Sequence, residues 1–505
     1  MDLPLKLFIN NEASQRSANP NPISSSINSV QYIESKNGER ISLRNPTNDD
    51  FITNDVRVAG EEDIDTAVTA AKIAFTQGPW SKFSGIQRAA CLHKVAAIIE
   101  QNAERLAQLE SLPTGRPISG IVHFDLKHMV EVFRYYAGWA DKIEGRSYVE
   151  DNGYYKIVRY EPIGVCAGIS SWNATFMYVG WKVAPALAAG NAFIFKASEK
   201  SPLGALALGP LFAEAGFPPG VVQFITGGKE TGSLIASHKL ILKVSFTGSA
   251  FVGKKIQEAA ARSNLKKVTL ELGGKSPALV FADAPMEVAI GGVGGGFLAN
   301  SGQICVAASR VLVEEKIAKQ FCDAIVQIFE AASKGMGADT MDPKTQHGPV
   351  VDKEQFEKIM TYIEQGKKSA TLLTGGGRIG TKGSFIQPTL FLQPTSDSPI
   401  WKEEIFGPVL TVRTFKTEEE AINLANETEY GLASCIYTSD ITRALRVSSQ
   451  IEAGGVAINS PFLPELNTPF GGIKQSGYGH ELGKDSLLSY MNAKSIHINM
   501  AIPKL

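Results

Sequence analysis

After the acidic triplet Glu61-Glu62-Asp63, apolar residues recur at Ile64, Ala67, Val68, Ala71 and Phe75. That spacing puts them on one face of a helix, and the acidic start suits the positive end of the helix dipole. A second helical pattern runs from about Ile86 to Leu112 and meets a stop at Pro113-Thr114-Gly115. Between 145 and 160 the period changes. Tyr148, Val149, Tyr154, Tyr155, Ile157 and Val158 flank Asp151-Asn152-Gly153, which predicts a β-hairpin. From Ile163 onward short apolar runs alternate with helical ones. Ile163–Ser170, Ala192–Lys196, Val221–Thr226 and Leu242–Phe246 read as strands; Trp181–Ala189, Leu203–Glu214 and Val252–Ala261 read as helices. Strands separated by helices predict an α/β protein with a parallel, doubly wound sheet. Residues 13–39, rich in Ser, Asn and Pro, read as an extended surface segment.

At 505 residues the chain exceeds one ordinary core, and roughly two to four lobes are expected. The net charge of −1 gives no electrostatic case for nucleic acid or an anionic membrane as partner. Charges, Gly or Pro interrupt every apolar run before it reaches the length of a membrane span. The start, Met1-Asp2-Leu3-Pro4-Leu5-Lys6, lacks the layout of a secretion signal or an Arg-rich presequence. Cys91, Cys166, Cys305, Cys322 and Cys435 lie far apart, with no CxxC and no metal-like pairing with His. Free thiols in a reducing, cytoplasmic compartment and no metal site are therefore expected. The final Pro503-Lys504-Leu505 resembles the Ser-Lys-Leu peroxisomal address but carries Pro where a small residue belongs, which leaves the peroxisome as the weaker alternative.

Two segments carry candidate chemistry: Leu270-Glu271-Leu272-Gly273-Gly274-Lys275-Ser276 and Gly302-Gln303-Ile304-Cys305. The first offers a general base beside tight-turning glycines, the second a thiol nucleophile. Taken alone, Cys305 equally reads as a small buried hydrophobe and Glu271 as a turn residue. Further upstream, Ser245 to Lys255 reads as strand, Gly248-Ser249 turn and helix start, where free backbone N–H groups can face phosphate. A plain β–α turn fits as well. Lys196 and Glu199 close another strand; the carboxylate could accept bonds from ribose hydroxyls, or the two could be an ordinary surface pair. Gly294 to Ala299 matches GxGxxA but follows a helical stretch, so it is read as close helix packing rather than a dinucleotide fingerprint.

With these pieces assembled, the chain resembles the NAD(P)-dependent aldehyde dehydrogenase superfamily over nearly its whole length. The resemblance rests on Ser171-Trp172-Asn173, Trp181 to Asn191, Phe246-Thr247-Gly248-Ser249 and the two segments above. Glu404-Ile405-Phe406-Gly407-Pro408 and Pro469 to Gly477 follow in order. It implies Cys305 as nucleophile, Glu271 as general base and Asn173 as oxyanion donor together with the backbone N–H at the cysteine. It implies an NAD site, with NADP as alternative, in which Lys196 and Glu199 hold the adenosine ribose. Gly248 and Ser249 would then form the pyrophosphate turn, Glu404 would bind the nicotinamide ribose, and Phe406 would pack near the nicotinamide. Trp172, Gly228, Gly253 and Leu272 are placed in the same cofactor site. Acylating relatives generally lack the base, so Glu271 implies hydrolysis of a thioester to a carboxylic acid. Glu199 implies NAD over NADP.

The resemblance also implies a discontinuous NAD-binding domain over 1–140 and 160–270 and a catalytic domain over 271–485. A bridging β element over 141–159 and 486–505 would pair across subunits in a homodimer or homotetramer. Some positions depart from common members: Ala174-Thr175 replaces Phe-Pro, Ala299 stands where an aromatic often narrows the tunnel, and His480 replaces an Arg. Ala174 and Ala299 are expected to widen the aldehyde tunnel. Met177, Tyr178, Trp181, Phe462 and Leu463 are expected along it. That geometry points to a bulky aromatic, long-chain or isoprenoid-like aldehyde, and no Arg or Lys is evident in these segments to pair with a substrate carboxylate, which weakens a semialdehyde-acid reading. A broad-specificity detoxifying enzyme, a catalytically silent relative and a Cys–His thiol hydrolase are the alternatives.

Overall fold

The computed structural model describes residues 2–10 and 33–501. Most of the 13–39 segment and the terminal Pro503-Lys504-Leu505 lie outside the described residues. The first sheet has the spatial order Gly477–Tyr478, Lys267–Glu271, Lys243–Thr247, Val165–Ile169, Ala192–Ala197, Val222–Thr226. Its strands are parallel except for Gly477–Tyr478, which pairs antiparallel with Leu270 and Glu271. Val165–Ile169 and Ala192–Ala197 are buried throughout, as continuous apolar runs in a sheet covered on both faces must be. Ile64, Ala67, Val68 and Ala71 of the helix Glu61–Thr76 cover one face. Helices Gly85–Gln101, Lys127–Ala137, Thr175–Ala188 and Pro202–Glu214 cover the other. The order of strands reverses at Val165–Ile169, and the crevice beyond such a switch point is where doubly wound sheets bind ligands.

One expected element is broken. The pattern from Ile86 to Leu112 forms two helices, Gly85–Gln101 and Ala103–Thr114, separated at Asn102. The Asn102 amide donates to the carbonyl of Ile98 at 2.8 Å, and its backbone leaves helical geometry. A short polar side chain competing for main-chain acceptors interrupts a helix without disturbing its apolar period. The stop is delivered by Gly115, left-handed at φ 67°, while Pro113 lies inside the second helix.

A seven-stranded sheet follows: Thr371–Thr374, Thr389–Leu392, Val409–Phe415, Arg310–Glu314, Pro277–Val280, Ala433–Tyr437, Gly455–Ile458. The GxGxxA segment is helical, and a Cβ on Gly294 would lie 3.0 Å from Ile325 and Ile328, so close packing explains its glycines. The predicted hairpin pairs Arg146–Tyr148 with Tyr154–Pro162. Met491–Asn499 then pairs with the whole of Tyr154–Pro162, from Met491 opposite Pro162 to Asn499 opposite Tyr154. Among the described residues no helix is long and apolar enough to cross a membrane, and no cluster of His, Cys, Asp or Glu could hold a metal.

Candidate active site

Cys305 follows three successive left-handed residues, Asn300 (φ 48°), Ser301 (φ 53°) and Gly302 (φ 71°). Such geometry is costly for Asn and Ser and persists only where neighbours hold it. Here Ser301 Oγ donates to the Gly348 carbonyl at 2.6 Å, and Val351 N–H donates to Gln303 Oε1 at 2.9 Å. Gly302 lies so close to the Gly407 carbonyl that a Cβ would collide with it. Cys305 therefore sits on a fixed loop.

Asn173 lies beyond the C-terminal end of Val165–Ile169, at the switch point. Its Oδ1 accepts from Ser171 Oγ at 2.7 Å and from the Tyr178 hydroxyl at 3.0 Å. Its Nδ2 donates to the Gln303 carbonyl at 3.1 Å. Two donors on the oxygen fix the amide's orientation and leave one Nδ2–H, of two, for a further acceptor. Asn300 Nδ2 reaches the carbonyls of both Asn173 and Gln303 at 3.2 Å, tying the two loops together.

Glu271 ends the strand Lys267–Glu271, and its side chain is buried with neither carboxylate oxygen hydrogen-bonded. Burial holds its carboxyl well above the usual range; Glu481 adds to this and Lys182 opposes it. The glycines after it have a steric purpose. A Cβ on Gly274 would strike the Cys305 carbonyl, and one on Gly273 would strike the Glu404 carboxylate. Close backbone passage at Gly274 is what brings the two sequence segments together. A Cβ on Gly471 would lie 3.1 Å from Glu271 Oε1 and 3.0 Å from His480 Cδ2. His480, far from Glu271 in sequence, is thus beside it in space. The Cys305 thiol is partly exposed, yet burial of its surroundings, with the carboxylates Glu404 and Glu271, pushes it up to about 12.

The expected cofactor residues gather along the C-terminal edge of the first sheet. Lys196 is 3% exposed; its Nζ donates to the Ala197 carbonyl at 2.9 Å and lies 3.9 Å from Glu199. Burial lowers its ammonium to about 8, with Glu199 opposing. Ser249 Oγ caps the helix Ala250–Ser263 through Val252 N–H, leaving that helix's N-terminus at the turn. One expectation is corrected: the Gly248 N–H is not free for phosphate, because it donates to the Glu271 carbonyl at 3.0 Å. Gly248 instead couples the turn to the strand Lys267–Glu271. Gly228 caps the helix Lys229–Ser237 with open space around it, and Gly253 packs against Leu272. Glu404 accepts from Gly274 N–H at 2.9 Å, and Phe406 (φ 58°) meets Trp172 edge-on at 5.6 Å. The Gln355 amide, unmarked in the sequence, fixes the Phe406 carbonyl at 2.9 Å. A buried cation beside a carboxylate, a capped helix N-terminus and a second, half-buried carboxylate form a donor and acceptor set that fits a dinucleotide.

A cavity of about 670 Å³ reaches Cys305 and Asn173. Ala174, Met177, Tyr178 and Trp181 line it from the helix Thr175–Ala188 and its cap; Ala299, Phe462 and Leu463 line it from the facing loops. Trp181 packs at a tilt against Phe470 at 4.8 Å and edge-on against Tyr178 at 5.7 Å, giving an aromatic wall. The Trp181 indole N–H donates to His128 Nε2 at 2.9 Å, and burial lowers that imidazole to about 4. Outside those segments, Arg116 also lines the cavity, ion-paired with Asp125. Arg116 follows the Gly115 stop and Asp125 lies in the helical stretch Ile121–Leu126 beyond it.

The family model described as the aldehyde dehydrogenase family matches residues 32–496. An aldehyde dehydrogenase of Emericella nidulans is 43% identical over 98% of this chain and 95% of its own length. Human retinaldehyde dehydrogenase 3 is 43% identical over 98% of this chain and 93% of its own. The NAD+ complex of a Bacillus cereus aldehyde dehydrogenase superposes with a TM-score of 0.91 at 41% identity, covering 98% of this chain and 96% of that one.

Proposed function

The chain belongs to the aldehyde dehydrogenase family, and from that membership we propose that it oxidises a bulky aromatic, long-chain or isoprenoid-like aldehyde to the carboxylic acid through a thioester on Cys305. It is an NAD(P)-dependent aldehyde dehydrogenase, and NAD is its cofactor. The observation that carries the substrate reading is the cavity of about 670 Å³, walled by aromatic side chains, that ends at Cys305.

In this reading Cys305 gives up its thiol proton to solvent, its Sγ adds to the aldehyde carbon, and the oxygen gains charge as the carbonyl π bond breaks. The spare Nδ2–H of Asn173 and the backbone N–H at Cys305 receive that charge. One such donor contributes about 3–4 kcal/mol to the transition state. Orientation of Asn173 by Ser171 and Tyr178 means no reorganisation is needed when the charge develops. Lys196 and Glu199 would hold the adenosine ribose, and Ser249 with the N-terminus of Ala250–Ser263 the pyrophosphate. Glu404 and Phe406 would hold the nicotinamide end. NAD held by these residues would supply the hydride acceptor for the oxidation at Cys305. Glu271, unpartnered, then takes a proton from water, which attacks the acyl carbon and frees the thiolate.

Human retinaldehyde dehydrogenase 3 carries a bulky isoprenoid aldehyde in its name, which supports the reading without deciding it. The test is kcat/KM for acetaldehyde against a bulky aryl aldehyde, each with NAD. The aryl aldehyde is expected to exceed acetaldehyde by at least about tenfold, on the order of what one or two methylenes of apolar burial contribute. A clear preference for acetaldehyde overturns the substrate reading.

A further inference from the structure

The aldehyde cavity is not apolar throughout. Arg116 and Asp125 line it, 9% and 1% exposed, joined end-on by Nη1 to Oδ2 at 2.5 Å and Nη2 to Oδ1 at 2.9 Å. A buried pair of this kind is held in one geometry by its surroundings. The backbone on either side is fixed too: Gly115 is left-handed, and Ser111 Oγ donates to the Arg116 carbonyl at 2.6 Å. The fork occupies two of the five guanidinium N–H groups and leaves lone pairs on the carboxylate.

Resting on the substrate reading above, we infer that the Arg116–Asp125 pair is a specificity subsite for a hydroxyl group carried by the substrate at the end remote from its aldehyde. The ligand class follows from the charges. A substrate carboxylate would face Asp125, an ammonium would face Arg116, and a methyl group would desolvate both without a bond in return. Of these four groups only the hydroxyl accepts from a guanidinium N–H and donates to a carboxylate oxygen at once. Glu110, buried behind the pair, is pushed up to about 8 by desolvation and so holds its proton at neutral pH. The pair therefore carries no net charge that would select an ionic substrate instead.

The test uses benzaldehydes and cinnamaldehydes substituted at the para position with hydroxyl, methoxy or methyl, so that two reaches are sampled at nearly constant size. The hydroxyl compound is expected to exceed its methyl isostere in kcat/KM by at least about tenfold in one frame, mainly through KM, with methoxy between. A ratio at or below one in both frames overturns the inference. So does a carboxylate- or ammonium-bearing analogue that outperforms the hydroxyl compound. In Arg116→Met/Asp125→Leu, which removes both charges together, the hydroxyl-to-methyl ratio falls to about one. An unchanged ratio overturns the assignment. If that variant does not fold, Asp125→Asn, which keeps the side chain's shape and removes the carboxylate charge, must lower the same ratio. Brisk turnover of both aldehydes at equal efficiency removes this inference alone. Turnover of acetaldehyde with neither aryl aldehyde accepted removes the substrate reading as well.

Discussion

Burial drives both reacting groups toward their protonated forms: the Cys305 thiol is held up to about 12 and the Glu271 carboxyl well above its usual range. Desolvation is the largest cause for each, and their neighbouring carboxylates add to it. A base works in its ionised form, so a raised Glu271 loses activity on the acid side earlier than an ordinary carboxyl of about 4.3 would. The acyl-release rate is therefore expected to climb with pH through a midpoint displaced upward from that value. In Glu271→Gln this limb disappears. One NADH per site is still released in a pre-steady-state burst, and steady turnover falls by about 10²- to 10⁴-fold. Unchanged steady turnover in that variant would remove Glu271 from the release step. The polar environment of Arg116 was hidden at this scale, because Thr114-Gly115-Arg116-Pro117 reads as a helix stop and gives no hint that its side chain turns inward to Asp125.

At the scale of elements, glycine placement decides whether the two chemical segments meet. Gly274 passes the Cys305 carbonyl with no room for a Cβ, whereas a Cβ on Gly291, in the glycine-rich helix, would meet nothing within 4 Å. Gly274→Ala must push the nucleophile loop or the base strand aside. It is expected to lower kcat by at least about tenfold and stability by about 1–3 kcal/mol, as overpacking does. Gly291→Ala is expected to leave kcat unchanged and to raise stability by about 0.5–1 kcal/mol, the helical preference of Ala over Gly. Thermal unfolding and steady-state kinetics on the two variants check both; equal loss of activity in both would mean that steric approach at Gly274 is not the cause. The break at Asn102 is an element-scale event of another kind. Apolar periodicity continues across it, so the pattern alone merges two helices that a single side-chain amide separates.

At the scale of the molecule, the sheet Arg146–Tyr148, Tyr154–Pro162, Met491–Asn499 leaves large apolar residues uncovered. Val149 is 87% exposed, and Tyr148, Tyr154, Ile498 and Met500 are each at least 40% exposed. Apolar surface gathered on one small element marks an interaction site. A dimer or tetramer built through this element is expected in solution. Val149→Glu combined with Ile498→Glu is expected to shift it toward monomer in light scattering. A wild-type monomer at micromolar concentration would refute this.

The sequence by itself determined the alternation of strand and helix from Ile163 onward, the order of the motifs, and the identities of Cys305, Glu271 and Asn173 as candidates. Those follow from local rules of apolar period, turn chemistry and side-chain type, which act over a few residues. The tertiary structure alone decided that Gly248 spends its N–H on the Glu271 carbonyl and that His480 stands beside the base. It alone placed Gln303 and Gln355 as clamps and set an ion pair in the wall of the aldehyde cavity. Each of these is a contact between chain segments far apart in sequence or turned inward by packing. Which polar atom meets which partner there depends on how the sheets and helices close on one another.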